Sequence, residues 1–234
     1  MTTISVLKNK SLRRRLLPFS FEDRIELAAE VRVPATYDEY VEYVHDCDYR
    51  LHYHNGHIVS FIEYDEETDS TFGVATPTHE QLVARMIFLL GQALDYQMEE
   101  AHYALYASNI KIFIPQSNQS YKPDMAVAIK PIQYIEHKPK KRSITSLTSP
   151  YIVVEILSNS TNDFDLHEKL PYYQSIESLH QIIYIASNEA FVTTFIRQTN
   201  GNWYKIDFKN EDDTLPVVDK GVIKLNDIYQ KIDF

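Results

Sequence analysis

The run Tyr-Ile-Val-Val-Glu-Ile-Leu at residues 151–157 constrains this chain more than any other segment. Ile152, Val153, Val154 and Ile156 are β-branched and the only charge is Glu155, so the run reads as a strand buried within a sheet. Burying an unpaired carboxylate is costly, and a cation or hydrogen bonds must compensate it. Alternation puts Glu155 on the face shared with Val153 and Leu157, so it projects out of the sheet rather than along its edge. A second carboxylate, Asp124, stands where Lys122-Pro123 gives way to the apolar run 125–129, at the mouth of another strand. On neighbouring strands the two would form a hard-oxygen site suited to Mg²⁺. Each also has a plainer use taken singly. Glu155 could pair with an arginine or cap a helix, and Asp124 could be a turn residue after proline.

Downstream, Asp165 and Lys169 are four residues apart on a helix expected over about 165–176, which places them on one face. They could form an ordinary ion pair. If the helix packs beside the strand ends, Lys169 instead points at the carboxylates, where an ammonium could orient a water or stabilise charge developing on phosphorus.

Elsewhere the pattern alternates helix and strand signals. Thr36 and Glu39 fit a capping box for a short helix to His45, and Asn55-Gly56 between the runs 49–53 and 58–64 signals a hairpin. The acidic stretch 65–69 reads as a surface loop. Thr78 and Gln81 fit a second capping box, opening a helix with the apolar stripe Leu82, Met86, Leu89, Leu90, Ala93 and Leu94 that reaches roughly to Glu99. Strands are expected at 103–107, 110–114, 124–129, 151–157, 181–186, 190–197 and 203–208, with a hairpin turn at Asn200-Gly201 and a last short helix near Leu225. No repeat and no Gly- or Pro-rich linker divides the chain. The expectation is an α/β fold with a mixed central β-sheet flanked by helices: an N-terminal arm over 1–35 and one domain over 36–234.

Composition narrows the function classes. No apolar stretch approaches the roughly 18 residues of a membrane span, and the N-terminus lacks the pattern of a signal peptide, so no membrane partner is expected and the default compartment is cytoplasmic. Cys47 is the single cysteine, which excludes an internal disulfide. The formal net charge of −10 argues against a surface that attracts nucleic acid everywhere. Basic residues do cluster, however, at Arg13–Arg15 and at Lys138, Lys140, Lys141 and Arg142. Such patches can steer a polyanion locally, although each could equally be a solvated tail or loop.

Together, Lys-Pro-Asp at 122–124, Tyr-Ile-Val-Val-Glu-Ile-Leu-Ser-Asn-Ser-Thr at 151–161, then Asp165, Lys169 and Tyr173, resemble the Uma2 (DUF820) family of restriction-endonuclease-like proteins. The likeness extends to Gln174–Leu179, to Asn55-Gly56-His57-Ile58-Val59 and to Pro77–Gln81, and covers about residues 36–208. It implies a restriction-endonuclease-like PD-(D/E)XK core with Asp124 and Glu155 as metal ligands and Lys169 as the lysine moved to the following helix, because the usual lysine position is Leu157 here. Glu80, beside His79, is the candidate for a further carboxylate from the earlier helix, though a first-turn acid is favoured by the helix dipole alone. The chain departs from the family at His52 and His57, where acidic residues are usual, and at an apparent insertion over 65–73.

The resulting expectation is a metal-dependent endonuclease acting on DNA, with Asp124, Glu155 and Lys169 as the reactive centre. One or two Mg²⁺ or Mn²⁺ ions would sit on Asp124, Glu155, the Ile156 carbonyl and Glu80. The resemblance further implies a homodimer and 5′-phosphate products. Two alternatives stand beside it. One is a non-catalytic binding or assembly protein that keeps the fold; the other is a zinc module on His45, Cys47, His52, His54 and His57, whose spacing is atypical of zinc.

Overall fold

The computed structural model describes residues 17–65, 70–72, 76–94, 102–158, 161–218 and 220–234. Two large sheets dominate. The first runs, in spatial order, β1 (Glu30–Pro34), β3 (His57–Phe61), β2 (His52–His54), β8 (Gln119–Tyr121), β7 (Ile112–Ile114), β11 (Ile144–Leu147) and β10 (Tyr134–His137). The second runs β15 (Trp203–Phe208), β14 (Val192–Arg197), β13 (Gln181–Ala186), β12 (Pro150–Leu157), β9 (Met125–Ile129) and β6 (Tyr103–Tyr106). Two ribbons pair β4 (Glu63–Asp65) with β5 (Ser70–Phe72) and β16 (Thr214–Pro216) with β17 (Val222–Lys224). The α-helices are α1 (Phe21–Arg24), α2 (Tyr37–Tyr43), α3 (Pro77–Ala93), α4 (Leu170–Ser175) and α5 (Leu225–Tyr229), and a π-helical turn, Phe164–Lys169, leads into α4. β12 pairs parallel with β13 and antiparallel with β9, so the expected mixed α/β architecture is present.

The apolar residues explain the layering. β12 is buried over nearly its whole length, which fits a strand covered on both faces. Ile152, Val154 and Ile156 face a core completed by Leu82, Met86 and Leu90 of α3 and by Ile228 of α5. Val153 and Leu157 face the other way, onto Ile112, Ile114 and Tyr121 of the first sheet and onto Phe164 and Tyr173. Glu155 shares this second face by alternation, in the space between the two sheets. A third cluster, with Tyr37, Tyr40 and Val41 of α2, covers the outer face of the first sheet.

Local signals were followed with instructive exceptions. Thr36 and Glu39 close the expected capping box of α2. In α3, however, the N-cap is Thr76, whose side chain accepts from the His79 N–H, rather than Thr78. Pro77 then occupies the first helical position, where its missing N–H costs nothing, and this moves the helix start ahead of Thr78. Asn55 and Gly56 have φ of 47° and 74° and make the β2–β3 turn. The short strands β1, β5, β8, β10, β11, β16 and β17 were not anticipated, and the basic run 138–142 lies in the connection between β10 and β11.

The expected helix over 165–176 is π-helical in its first part. Pro171 has no N–H to give the carbonyl of His167, and its ring would clash there in a regular α-turn, so the widened turn removes the conflict. Of the expected N-terminal arm, residues from 17 onward pack on the first sheet. β1 pairs with β3, and the fully buried Arg24 donates to Ser60 Oγ and to the carbonyls of Ala28 and Ala29. Arg13–Arg15, most of the acidic stretch expected as a loop over 65–69 and the expected continuation of the helix toward Glu99 lie outside the described residues. Among the described residues, no helix is long and apolar enough to cross a membrane.

Candidate active site

The sheet itself assembles the centre. Val154 pairs with Met125 across β12 and β9, so the next residue on each strand brings Glu155 beside Asp124. The Asp124 N–H donates to Glu155 Oε2 at 3.3 Å, and the Ile156 N–H donates to Asp124 Oδ2 at 2.8 Å. Both side chains are about 1% exposed. The π-helical turn then brings Lys169 in: its Nζ lies 3.0 Å from Glu155 Oε1 and 2.5 Å from Asp165 Oδ1. Asp124, Glu155 and Lys169 therefore converge. The two readings of Lys169 merge as well, because one ammonium makes the ion pair with Asp165 and also reaches Glu155. The Tyr173 hydroxyl donates to Glu155 Oε1 at 2.8 Å, and the rings of Phe164 and Tyr121 lie 5.3 and 6.0 Å from Nζ.

Two contacts of Asp124 were not among the candidates. Arg50 Nη1 lies 2.8 Å from Oδ1, and His79 Nε2 lies 3.2 Å from Oδ2. His79 was legible: it sits on the stripe that continues through Leu82, Val83, Met86 and Leu90, and it is buried with them. Arg50 was harder to find, since its role depends on how the β2–β3 hairpin docks against β8. Glu80 stands outside this cluster. Its side chain is 63% exposed, 3.7 Å from His79 Nδ1. One residue advances a helix by about 100°, so α3 can turn only one of the two neighbours toward Asp124, and that one is His79.

The electrostatics follow from burial. Burial alone would raise the Asp124 carboxyl, but the Arg50 guanidinium, His79 and the Ile156 N–H hold it well below the usual range. Burial raises the Glu155 carboxyl to about 7; Lys169 opposes this, while Asp165 and Asp124 add to it. For Lys169, burial favours the neutral amine, yet Asp165 and Glu155 outweigh it and keep the ammonium. His52, fully buried and next to Lys169 and Arg50, is held neutral.

The donor set can be tested against a divalent cation. Asp124 Oδ2 already accepts from Ile156 and faces His79, and Glu155 Oε1 accepts from Lys169 and Tyr173. Among the described residues, Asp124 Oδ1 meets Arg50 and Glu155 Oε2 takes the long contact from the Asp124 N–H, so each keeps an acceptor direction. Two hard oxygens, with water completing the shell, suit Mg²⁺, which commonly uses one or two carboxylates. Among the described residues no group of three or more His, Cys, Asp or Glu side chains is arranged around a common point for a metal. That also answers the zinc reading. His45 faces the Ser143 carbonyl, Cys47 the Pro18 carbonyl, His54 Tyr121 and Glu168, and His57 the Asn55 carbonyl, so these side chains serve separate contacts.

Comparison with known proteins bears on this centre. Residues 37–220 match the family model described as "Uma2: Putative restriction endonuclease". A Synechocystis protein, "Uncharacterized protein sll1609", is 27% identical over 101 residues, which is 43% of this chain. The match spans about half, 54%, of that relative's length. Among solved structures, "a putative nuclease belonging to DUF820" from Anabaena variabilis superposes with a TM-score of 0.57 at 14% identity, over 91% of this chain and 98% of that one. At that identity the likeness speaks for the fold. The family model covers well over half of the chain, including Asp124, Glu155 and Lys169, and the chain belongs to the Uma2 family of restriction-endonuclease-like proteins.

Proposed function

We propose that the protein is a divalent-metal-dependent endonuclease that hydrolyses phosphodiester bonds in DNA. The observation that carries this reading is the convergence of Asp124, Glu155 and Lys169 in one buried cluster, with an acceptor direction left on each carboxylate. Asp124, Glu155 and the Ile156 carbonyl would hold Mg²⁺ or Mn²⁺, with His79 rather than Glu80 as the contribution from α3. When bound, the ion supplies Lewis acidity and lowers the pKa of water. Lys169 remains charged beside Glu155, where it can orient the attacking water and stabilise charge on the phosphoryl oxygens. Tyr173 and Asp165 fix the positions of Glu155 and Lys169 through the contacts described above. We assign residues 36–234 to one domain that works as a homodimer in the cytoplasm.

The test is cleavage of supercoiled plasmid and of single-stranded DNA with Mg²⁺ or Mn²⁺. Asp124→Ala and Glu155→Ala should each abolish cleavage while the protein stays folded; unchanged cleavage would overturn the assignment. One observation favours the non-catalytic reading: Arg50 already neutralises Asp124 internally. Under that reading no divalent metal elicits nicking, and DNA binding is indifferent to Lys169→Ala.

A further inference from the structure

We propose that Arg50 is a built-in counter-ion of Asp124 which a divalent cation has to displace, so that this one side chain sets the metal affinity of the centre. The proposal rests on the nuclease reading and deepens it. Arg50 stands two residues before β2, whose His52 and His54 rings meet Phe164 at 5.6 and 5.3 Å between the sheets. Its side chain enters the same space, and Nη1 reaches Asp124 Oδ1 at 2.8 Å. The other oxygen, Oδ2, already accepts from the Ile156 N–H and faces His79, so Oδ1 is where a further cation would bind Asp124.

Two cations serve the carboxylates, and they are held very differently. The Lys169 side chain is 3% exposed and lies between Glu155 and Asp165, at 3.0 and 2.5 Å. The Arg50 side chain is 18% exposed, and among the described residues its one hydrogen bond is the contact with Asp124. Its Nε is buried without a partner, although a guanidinium offers five donors in a fixed fork. The other described groups on the two carboxylates, His79, Lys169, Tyr173 and the Ile156 N–H, are buried. Arg50 is therefore the contact that solvent reaches and the one held by least.

Charge makes the two occupants of Oδ1 exclusive. A divalent ion and a guanidinium on one buried oxygen are like charges at close range. A lysine there could give way by losing its proton, but arginine keeps its charge and has to move. By formal charge, with His79 neutral, Asp124, Glu155 and Asp165 face Arg50 and Lys169, which leaves one negative charge. With Arg50 withdrawn the cluster carries two, the charge that a divalent ion neutralises. Until then Arg50 spares the fold an uncompensated buried carboxylate. The contact that favours a non-catalytic reading is thus also what a metal centre needs in order to stay folded before loading.

The experiment uses the full chain and Mn²⁺ alone as the probe, titrated calorimetrically into the parent, R50Q, K122Q and D124N, with melting temperatures recorded in EDTA and in saturating Mn²⁺. A hydrogen bond to a charged group is worth about ten- to a hundredfold in an equilibrium constant, so R50Q should bind Mn²⁺ at least about tenfold more tightly than the parent. R50Q should melt below the parent in EDTA, where Asp124 has lost its counter-ion, and Mn²⁺ should raise its melting temperature by more than it raises the parent's. K122Q removes the same charge from a half-buried lysine two residues from Asp124 and should change the affinity far less. D124N should abolish the binding.

A Mn²⁺ affinity in R50Q equal to or weaker than the parent's overturns the proposal. An equal gain in K122Q overturns it too, since general charge would then account for the effect. So does an R50Q protein that stays unfolded even in Mn²⁺, because the metal could not then stand in for the guanidinium. If R50Q gains affinity but the parent loaded with Mn²⁺ or Mg²⁺ cuts no DNA, the counter-ion stands and the nuclease reading falls. If R50Q gains nothing while the parent cuts, the nuclease reading stands and the counter-ion falls.

Discussion

Replacing Lys169 by methionine keeps the unbranched side chain but for its last atom and removes its charge, leaving Glu155 and Asp165 to face each other without the ammonium they share. The charge-assisted hydrogen bond to Glu155, at roughly 1.5–3 kcal/mol, and the ion pair with Asp165 are lost, and the desolvation once spent on the ammonium is recovered in part. Breaking a buried ion pair by removing one partner typically costs about 3–5 kcal/mol, and with Lys169 only 2% exposed solvent cannot take over. For a domain of this size that corresponds to a melting temperature lower by about 6–20 °C. The loss should be larger at pH 8 than at pH 5.5, because acid lets Glu155, already held above its ordinary range, take up a proton and shed its charge. Adding Asp165→Asn should return about 1–3 kcal/mol, since the two sites share one network. The assay is urea denaturation at both pH values, with the single and double variants side by side. A K169M protein within about 0.5 kcal/mol of wild type at pH 8, the range of neutral surface changes, would refute the picture of a buried, charge-compensated centre.

Glu155→Gln gives a pH signature. The folded carboxyl is raised to about 7 by burial, so its stabilising contribution is fully present below the unfolded value near 4.5 and is lost as pH rises to about 7. The stability difference between wild type and E155Q, measured by thermal melts without metal, should therefore drift against wild type across that window and level off above it. The buried histidines drift the opposite way but cancel in the difference. On α3, His79→Ala should lower cleavage at least tenfold and Glu80→Ala less than threefold in initial-rate assays; the reverse order would restore Glu80 to the centre. Gly56→Ala should cost about 1–2 kcal/mol in chemical denaturation, from the positive φ of 74° alone, because an added Cβ meets nothing within 4 Å. A neutral outcome would mean the β2–β3 turn can relax.

Much of the centre was readable because its logic is local. Glu155 announces itself as a charge in an apolar strand, and alternation alone puts it on the face between the sheets. The proximity of Asp124 needed one long-range fact, the antiparallel pairing of β9 with β12. Arg50 needed two, the docking of β2 on β8 and the path of the preceding loop, and nothing in its neighbours marks it. Strands β8, β10 and β11 escaped notice because each is only three or four residues long with mixed polarity, and cross-strand partners decide their state. Proline misled in both directions. Pro77 shifted a helix start, and Pro171 changed a helix type that the spacing of apolar residues could not distinguish.

The π-helical turn also governs phase. In a regular α-helix each step of four residues overshoots a full turn by about 40°, so Asp165, Lys169 and Tyr173 would fan out across about 80°. The wider turn between Phe164 and Lys169 winds more slowly and draws these residues back toward one line, on which Lys169 and Tyr173 both meet Glu155 Oε1. The register of this segment is thus a counted quantity. Deleting or inserting a single residue between Asp165 and Tyr173 would disconnect the centre as thoroughly as removing its side chains, and chain length here is as much a part of the site as its carboxylates.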